Sequence, residues 1–365
     1  MAKSLFNRIA IIGLGLIGSS IARAARERNL AAIIVGCDAN EVSLAFAKKH
    51  GFADITTSQP AEAVQDSQLI ILATPPTALG NIAKAIAPHV EKGAIIMDVC
   101  SVKQAAIDAF APHVPEGVNF IPAHPIAGSE QSGIGAGRGD LFERKQVIVT
   151  PAEPTGQALK TITAFWQAMG AHVEGMPASL HDLLYAHVSH LPQLLAFAAA
   201  KSLADYKDDK NLQKFLRLSH SNPALWTEIF SMNKDNLGKA LDRYLDAVAH
   251  IGNELSSAPE GTISEVDNKL AHTTLFPRIA ASCLITTVME AEKLAGFSFG
   301  RYAGTGFADF TYPAAIPPEA DIERISGQSA AVVAIISQYI AGLKKLRSAL
   351  DSKDSDRLEK MLQNA

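Results

Sequence analysis

A chain of 365 residues exceeds what one hydrophobic core usually serves, and a composition of 48% hydrophobic and 19% charged residues is that of a soluble globular protein of two or three domains. The net charge of -4 shows no basic excess, which sets nucleic acid aside as a partner. Three scattered cysteines, Cys37, Cys100 and Cys283, with no C-x-x-C pair or Cys/His cluster, argue against a disulfide framework or a metal site and for a reducing, cytoplasmic setting.

In chain order, "MAKSLFNRIAIIGLG" opens with one early lysine and a short apolar run ending in glycines, a buried strand rather than a secretion signal. Residues 7–36 read strand, tight turn, helix, strand. Gly13, Gly15 and Gly18 form G-x-G-x-x-G where the first strand meets the helix, and Asp38 ends the second strand. Each part has a mechanical task. Gly13 permits the turn, Gly15 lets a pyrophosphate approach the backbone, Gly18 lets helix and strand pack closely, and the helix start at Leu16 and Ile17 offers N–H groups to an anion. Asp38 is expected to accept from a ribose 2'-hydroxyl and repel a 2'-phosphate, favouring NAD over NADP. Thr74, at the end of the strand in "SQLIILATPP", completes the cofactor-binding candidates.

Further apolar runs at 68–76, 93–101, 118–128 and 145–153, alternating with helices such as 77–88, predict an α/β Rossmann domain with a parallel sheet covered on both faces. Ligands of such a sheet gather at its C-terminal strand ends. Ser101, in "DVCSVK", and His124, in "PAHPIAGSEQSG", each follow such a run. On spacing alone, His124 reads equally well as a turn histidine before Pro125.

Taken together, "GLGLIGSS", "DVCSVK", "HPIAGSEQSG" and "HDLLYAHVSHLPQ" resemble the prephenate/arogenate dehydrogenase family of tyrosine biosynthesis, over about residues 7–255. The resemblance implies NAD-dependent oxidation of a cyclohexadienol to a phenol with loss of carbon dioxide. It implies that His124 is the catalytic histidine at the C4 hydroxyl, that Ser101 bonds to both, and that Ser129 and Glu130 line the substrate pocket. Glu130 also reads as an exposed loop acid. Asp182 and His190 match an acid and a catalytic-site histidine, eight residues apart and so on roughly one helical face, although Asp182 also suits a helix N-terminal turn. His187 is expected on the helix surface. Gln193 stands where the family often has a second histidine; it can hydrogen-bond but carries no charge. In "QKFLRLSHSNPALW", Arg217 matches the arginine that grips a substrate carboxylate, followed by Ser221 and Trp226. The plain alternatives are an Arg217 that bridges helices and a Trp226 that anchors a core.

The Gly-rich loop expected before that arginine is missing, yet it occurs later, in "GRYAGTGFADFTYPAA", with Tyr312 in the arginine's place. Aligning "DLLYAHVSHLPQLLA" (182–196) with "DNKLAHTTLFPRIAA" (267–281) at an offset of 85, and later segments at 95, predicts a second, degenerate copy of the helical domain. In it His190 corresponds to Leu275, Arg217 to Tyr312 and Trp226 to Asp321. The family's helical domain pairs between subunits, so a covalent second copy predicts an intrachain pseudo-dimer, with a further homodimer left open. The expected domains are residues 1–178 (Rossmann), 179–258 (active helical copy), 259–350 (degenerate copy) and a charged, solvated tail helix over 351–365, with "SSAPEGTIS" (256–264) as linker. "AAVVAIISQYIAGL" is too short an apolar run to span a membrane.

Two other readings compete. A hydroxyacid dehydrogenase or imine reductase shares this architecture, but hydroxyacid dehydrogenases place a catalytic lysine where residues 181–193 hold His and Gln. A non-catalytic nicotinamide sensor has little need for Ser101, His124, His190 and Arg217 together.

Overall fold

The computed structural model describes residues 4–128, 131–152, 156–256, 265–315, 329–352 and 354–363. The chain divides into two compact units, Met1–Asp182 and Leu183–Ala365. Among the described residues no helix is long and apolar enough to cross a membrane, and no group of side chains is arranged to hold a metal ion.

The first unit begins β1 (Phe6–Ile12), α1 (Leu16–Glu27), β2 (Ala31–Cys37), α2 (Glu41–Lys49), β3 (Ile55–Thr57), a short α3 (Pro60–Ala63) and β4 (Leu69–Leu72). It continues with α4 (Leu79–Ile86), β5 (Ile95–Asp98), α5 (Lys103–Phe110) and β6 (Asn119–Phe120). The six strands form one parallel sheet in the order β3-β2-β1-β4-β5-β6, the doubly wound arrangement of a dinucleotide-binding fold. The apolar runs are continuous because both faces are covered. Side chains alternate between faces, so Ile9, Ile11, Leu69 and Ile71 pack with Phe165 and Trp166 on one side. Ala10, Ile12, Ile70 and Leu72 pack with Leu79, Ile86 and Phe110 on the other.

The expected runs at 118–128 and 145–153 do not extend this sheet beyond β6. After Phe120 the chain leaves it, and β7 (Ala123–Pro125), β8 (Gln146–Val149) and β9 (His172–Gly175) form a separate sheet of three. Pro122 supplies the physical reason, since proline has no N–H to donate to a continuing ladder. In the small sheet His124 lies opposite Ile148, in an antiparallel pair. Between β8 and β9 runs α6 (Gln157–Ala168), and α7 (Ala178–Tyr185) brings the unit to its end.

The second unit is helical. A π-helical turn at Ala186–His190 leads into α8 (Leu191–Ser202), followed by α9 (Lys210–Leu216), α10 (Pro223–Met232) and α11 (Lys234–Ser256). Then come α12 (Glu265–Leu270), a second π-helical turn at Ala271–Leu275, α13 (Phe276–Ala295), α14 (Thr305–Thr311), α15 (Ser329–Asp351) and α16 (Ser355–Gln363). The two π turns lie 85 residues apart, and each passes into a helix with proline at its second position, Pro192 or Pro277. In each, a histidine is bonded through Nδ1 to the carbonyl four residues back: His187 to Leu183 at 2.9 Å and His272 to Asn268 at 2.7 Å. At an offset of 95, α9 with its following 3-10 turn matches α14 with its own, and α11 matches α15, both 23 residues long.

The contacts across these segments are reciprocal. Tyr244, on α11, donates to the Ala280 carbonyl of α13 at 3.2 Å, while Tyr339, on α15, donates to the Leu195 carbonyl of α8 at 3.3 Å. The two hydroxyls are 3.4 Å apart. Phe215 and Phe310, also 95 apart, pack with their rings tilted and centroids 4.5 Å apart. His187 packs against Phe299 and His272 against Tyr206.

Two expectations change here. His187 is buried rather than on the surface, because Phe299 lies against its ring. The tail helix α16 is not simply solvated: Leu358 and Leu362, one turn apart on an otherwise charged helix, are both buried. The expected linker at 256–264 falls, except for Ser256, outside the described residues, as does Asp321.

Candidate active site

The glycine turn follows from close packing. Gly13 adopts φ +94°, and a Cβ there would lie 2.5 Å from the Ala73 carbonyl oxygen, so no other residue fits without displacing β4's end. A Cβ on Gly18 would lie 1.9 Å from the Gly13 oxygen, which brings α1 hard against the turn. Gly15 is different, since a Cβ there would meet nothing within 4 Å. Its bareness leaves open space at the N-terminus of α1, where no side chain caps the helix and no acid occupies the first turn. Leu16 and Ile17 thus begin a helix whose N-terminal dipole faces that space.

Asp38 closes the turn. Its Oδ2 accepts from the Leu14 N–H at 2.7 Å and its Oδ1 from the Asn40 N–H at 2.9 Å. Thr74 follows β4, its backbone beside Gly13, and its hydroxyl is buried with no hydrogen-bond partner among the described residues. A buried orphan hydroxyl, an uncapped helix start and open space over Gly15 fit a dinucleotide's pyrophosphate, and Asp38 sits at the strand end where a ribose diol binds.

His124 is half-buried on β7. Where the resemblance implies a bond from Ser101, Nδ1 of His124 lies 2.8 Å from Nε2 of His181, on α7. The His181 ring is drawn into place from its other side, where Nδ1 is 2.8 Å from Oδ1 of Asp182. Asp182 also accepts the Lys103 and Gln104 N–H groups, each at 2.8 Å, and so caps the N-terminus of α5. Asp182 thus serves a helix N-terminus, that of α5 and not of its own helix. Lys103 is wholly buried, ion-paired with Asp98 and donating to the Ala123 carbonyl at 2.6 Å, which anchors the backbone beside His124. Ser101 is half-buried after β5. Ser129 and Glu130 lie outside the described residues.

The second unit holds the remaining candidates. His190, in the π turn, is buried, with Nδ1 3.1 Å from Nδ2 of Asn233 and its ring 6.2 Å from Trp226. Gln193 is buried and donates to the Leu218 carbonyl at 2.6 Å, bracing the turn that begins at Arg217. Nε of Arg217 donates to Oδ2 of Asp309 at 2.6 Å. Lys214 sits 3.7 Å from the other oxygen of Asp309 and 4.3 Å from the Tyr312 ring centroid. Ser221 ends the 3-10 turn, and Asn222 caps α10, on which Trp226 is half-buried.

Sequence reasoning passed over His181, Lys103, Asp98 and Asp309. Each stood inside a quoted motif, but what gives it meaning is a partner at least five and as many as 92 positions away. All three cysteines are free and buried, and burial pushes the thiols of Cys37 and Cys283 up to about 12, which keeps them protonated.

A Rossmann sheet with this glycine turn, a strand-end acid, a histidine pair held on a carboxylate and a helical second unit defines a nicotinamide-dependent oxidoreductase. The family model "Prephenate dehydrogenase, nucleotide-binding domain" matches residues 21–175, and "Prephenate dehydrogenase, dimerization domain" matches residues 177–266 and again 262–364. The chain belongs to the prephenate dehydrogenase family. It is 33% identical to the cyclohexadienyl dehydrogenase of Zymomonas mobilis over 253 residues, 66% of this chain and 86% of that one. It is 30% identical to the prephenate dehydrogenase of Bacillus subtilis over 254 residues, 67% of this chain and 68% of that one. Among solved structures, the prephenate dehydrogenase of A. aeolicus in complex with hydroxyphenyl propionate and NAD+ superimposes with a TM-score of 0.62 at 30% identity, covering 67% of this chain and 88% of that chain.

Proposed function

We propose that this protein catalyses the NAD-dependent oxidative decarboxylation of a cyclohexadienol, converting prephenate to 4-hydroxyphenylpyruvate, arogenate to tyrosine, or both. The observation that carries the reading is His124, in the middle of β7, with one ring nitrogen turned to His181 and a glycine-lined dinucleotide site in the same unit.

NAD+, when bound, supplies the acceptor for the C4 hydride. His124 hydrogen-bonds the C4 hydroxyl and takes up its proton as hydride leaves carbon, so that electron density on oxygen drives the step. The C1 carboxylate then departs as carbon dioxide, its bonding pair completing the aromatic ring, and the proton held on His124 returns to the phenolic oxygen. Aromatisation provides the driving force, which is why few chemical groups are needed. Ser101 adds a second hydrogen bond at the hydroxyl. Arg217 holds the side-chain carboxylate, with its Nε anchored on Asp309, and Gln193 braces the turn that presents it. Asp38 favours NAD over NADP by repelling a 2'-phosphate.

The helical region is read as two copies of one domain, residues 179–258 and 259–350, forming an intrachain pseudo-dimer after the Rossmann domain of 1–178. Support comes from the paired π turns, the reciprocal tyrosine bonds and the two matches to one family model. Contacts in which residue i touches j while the equivalent of j touches the equivalent of i are those of a two-fold interface. A cytoplasmic setting is supported by the three free thiols.

The test is direct. Purified protein mixed with NAD and prephenate, then with arogenate, is followed at the nicotinamide absorbance band; reduction with at least one is expected, and none with either overturns the reading. Repeating the assay with NADP is expected to give the lower kcat/KM.

A further inference from the structure

His181 has no role of its own in the chemistry above, yet it is wholly buried and its two ring nitrogens are both engaged, one by Asp182 and one by His124, each at 2.8 Å. A buried imidazole held at both ends transmits information about protons, because a neutral ring has one donor and one acceptor. The direction is set at Asp182. That carboxylate accepts from two backbone N–H groups, which hold it as an anion, so the third contact, from His181, also runs toward it. Nδ1 of His181 is then the donor and Nε2 the acceptor. Nε2 therefore receives Nδ1–H of His124, and the lone pair of His124 is left on Nε2.

We infer that His181 is a positioning residue that, with Asp182 behind it, holds His124 in the Nδ1–H tautomer and so leaves Nε2 as the base for the substrate hydroxyl. This rests on the proposed role of His124. In the transition state, the proton arriving at Nε2 makes His124 cationic, and its Nδ1–H bond to His181 strengthens while Asp182 faces the same chain with a negative charge. The ordering group is supplied by α7, and α7 is anchored to α5 through the same carboxylate, so tautomer and backbone are set together. Were His181 instead an imidazolium donating from Nε2, His124 would carry its proton on Nε2 and be no base.

The experiment uses full-length protein and two substitutions. His181→Leu removes the acceptor, whereas His181→Gln places an amide oxygen near the position of Nε2. With prephenate and NAD, His181→Leu is expected to lose about 100-fold in kcat, the size of a general-base contribution, with KM changed less than about twofold, and His181→Gln to recover at least about tenfold of the loss. Nitrogen chemical shifts of the histidine rings, with His124 identified by the signal missing in His124→Asn, are expected to show a protonated Nδ1 and an unprotonated Nε2. In His181→Leu the two tautomers should mix. A wild-type His124 protonated on Nε2, or a His181→Leu enzyme with unchanged kcat, overturns the inference, as does a Gln variant no better than Leu. The ring shifts do not depend on turnover. A protein that reduces no NAD but shows the Nδ1–H form loses the dehydrogenase reading and with it the role of Nε2 as base, and keeps only the tautomer set by His181; if His181→Leu does not fold, the wild-type shifts and the Gln variant still decide.

Discussion

A histidine that serves as base and an arginine that serves as anchor fail in different ways when removed. Loss of the base removes an interaction made only in the transition state, so His124→Asn is expected to lower kcat by about 10²–10⁴-fold with little change in KM. Loss of the anchor removes binding common to ground and transition states. Arg217→Ala is therefore expected to raise the KM for the cyclohexadienol by about tenfold or more, with kcat nearly kept. Asp309→Asn should do the same in weaker form, since it leaves a hydrogen-bond acceptor at Nε of Arg217 but no charge. Steady-state kinetics on the three variants checks the set, and the reverse partition between kcat and KM would mean the roles are wrongly assigned.

The π turns matter because they are costly and repeated. A π turn adds a residue to the helical ladder, and each of these two carries a histidine whose Nδ1 meets a carbonyl four residues back. His187 is the more enclosed, and burial lowers its pKa from the ordinary histidine value of 6.5. The unfolded chain thus takes up a proton near pH 6.5 while the folded one resists until lower pH. The stability associated with neutral His187 is complete above about pH 6.5 and is lost as the pH falls toward the folded value. Melting temperature measured from pH 7.5 to 5 should fall on the acid side, and His187→Asn, which keeps a donor but does not titrate, should flatten part of that slope. An unchanged slope would place the acid sensitivity elsewhere.

Across the helical unit, symmetry and its breakage divide the labour. Tyr244 and Tyr339 meet at the crossing of α11 and α15, each bonded to the other half, and burial holds both phenols well above their usual range. Removing one hydroxyl takes away a buried hydrogen bond to a carbonyl that keeps its own helical partner, so Tyr244→Phe and Tyr339→Phe should each cost about 0.5–1.5 kcal/mol in denaturant titrations. The double variant should fall short of the sum, because the hydroxyls are neighbours. Additivity would argue against a shared centre. Around Arg217 the same symmetry is broken: Arg217 meets Asp309, whereas the equivalent pair, Tyr312 and Lys214, is a cation over a ring.

How much of this could be read along the chain depends on how far apart the interacting groups are. The glycine turn and Asp38 were legible because a turn, a helix start and a strand end obey local sterics within some 25 residues, and the continuous apolar strands announced a sheet buried on both sides. The offsets of 85 and 95 were legible as a repeated pattern of apolar, His and Pro positions. The switch of β7 into a second sheet was not, although Pro122 stood in view, because what a strand pairs with after a break is a long-range choice. Nor was the contact of His124 with His181: a histidine bonds whichever group the fold delivers, and here packing of α7 against the start of α5 brings His181 within 2.8 Å. Residue types and their spacing settle which chemistry is on hand; which lone pair faces the substrate is settled by side chains that meet only when distant segments fold together.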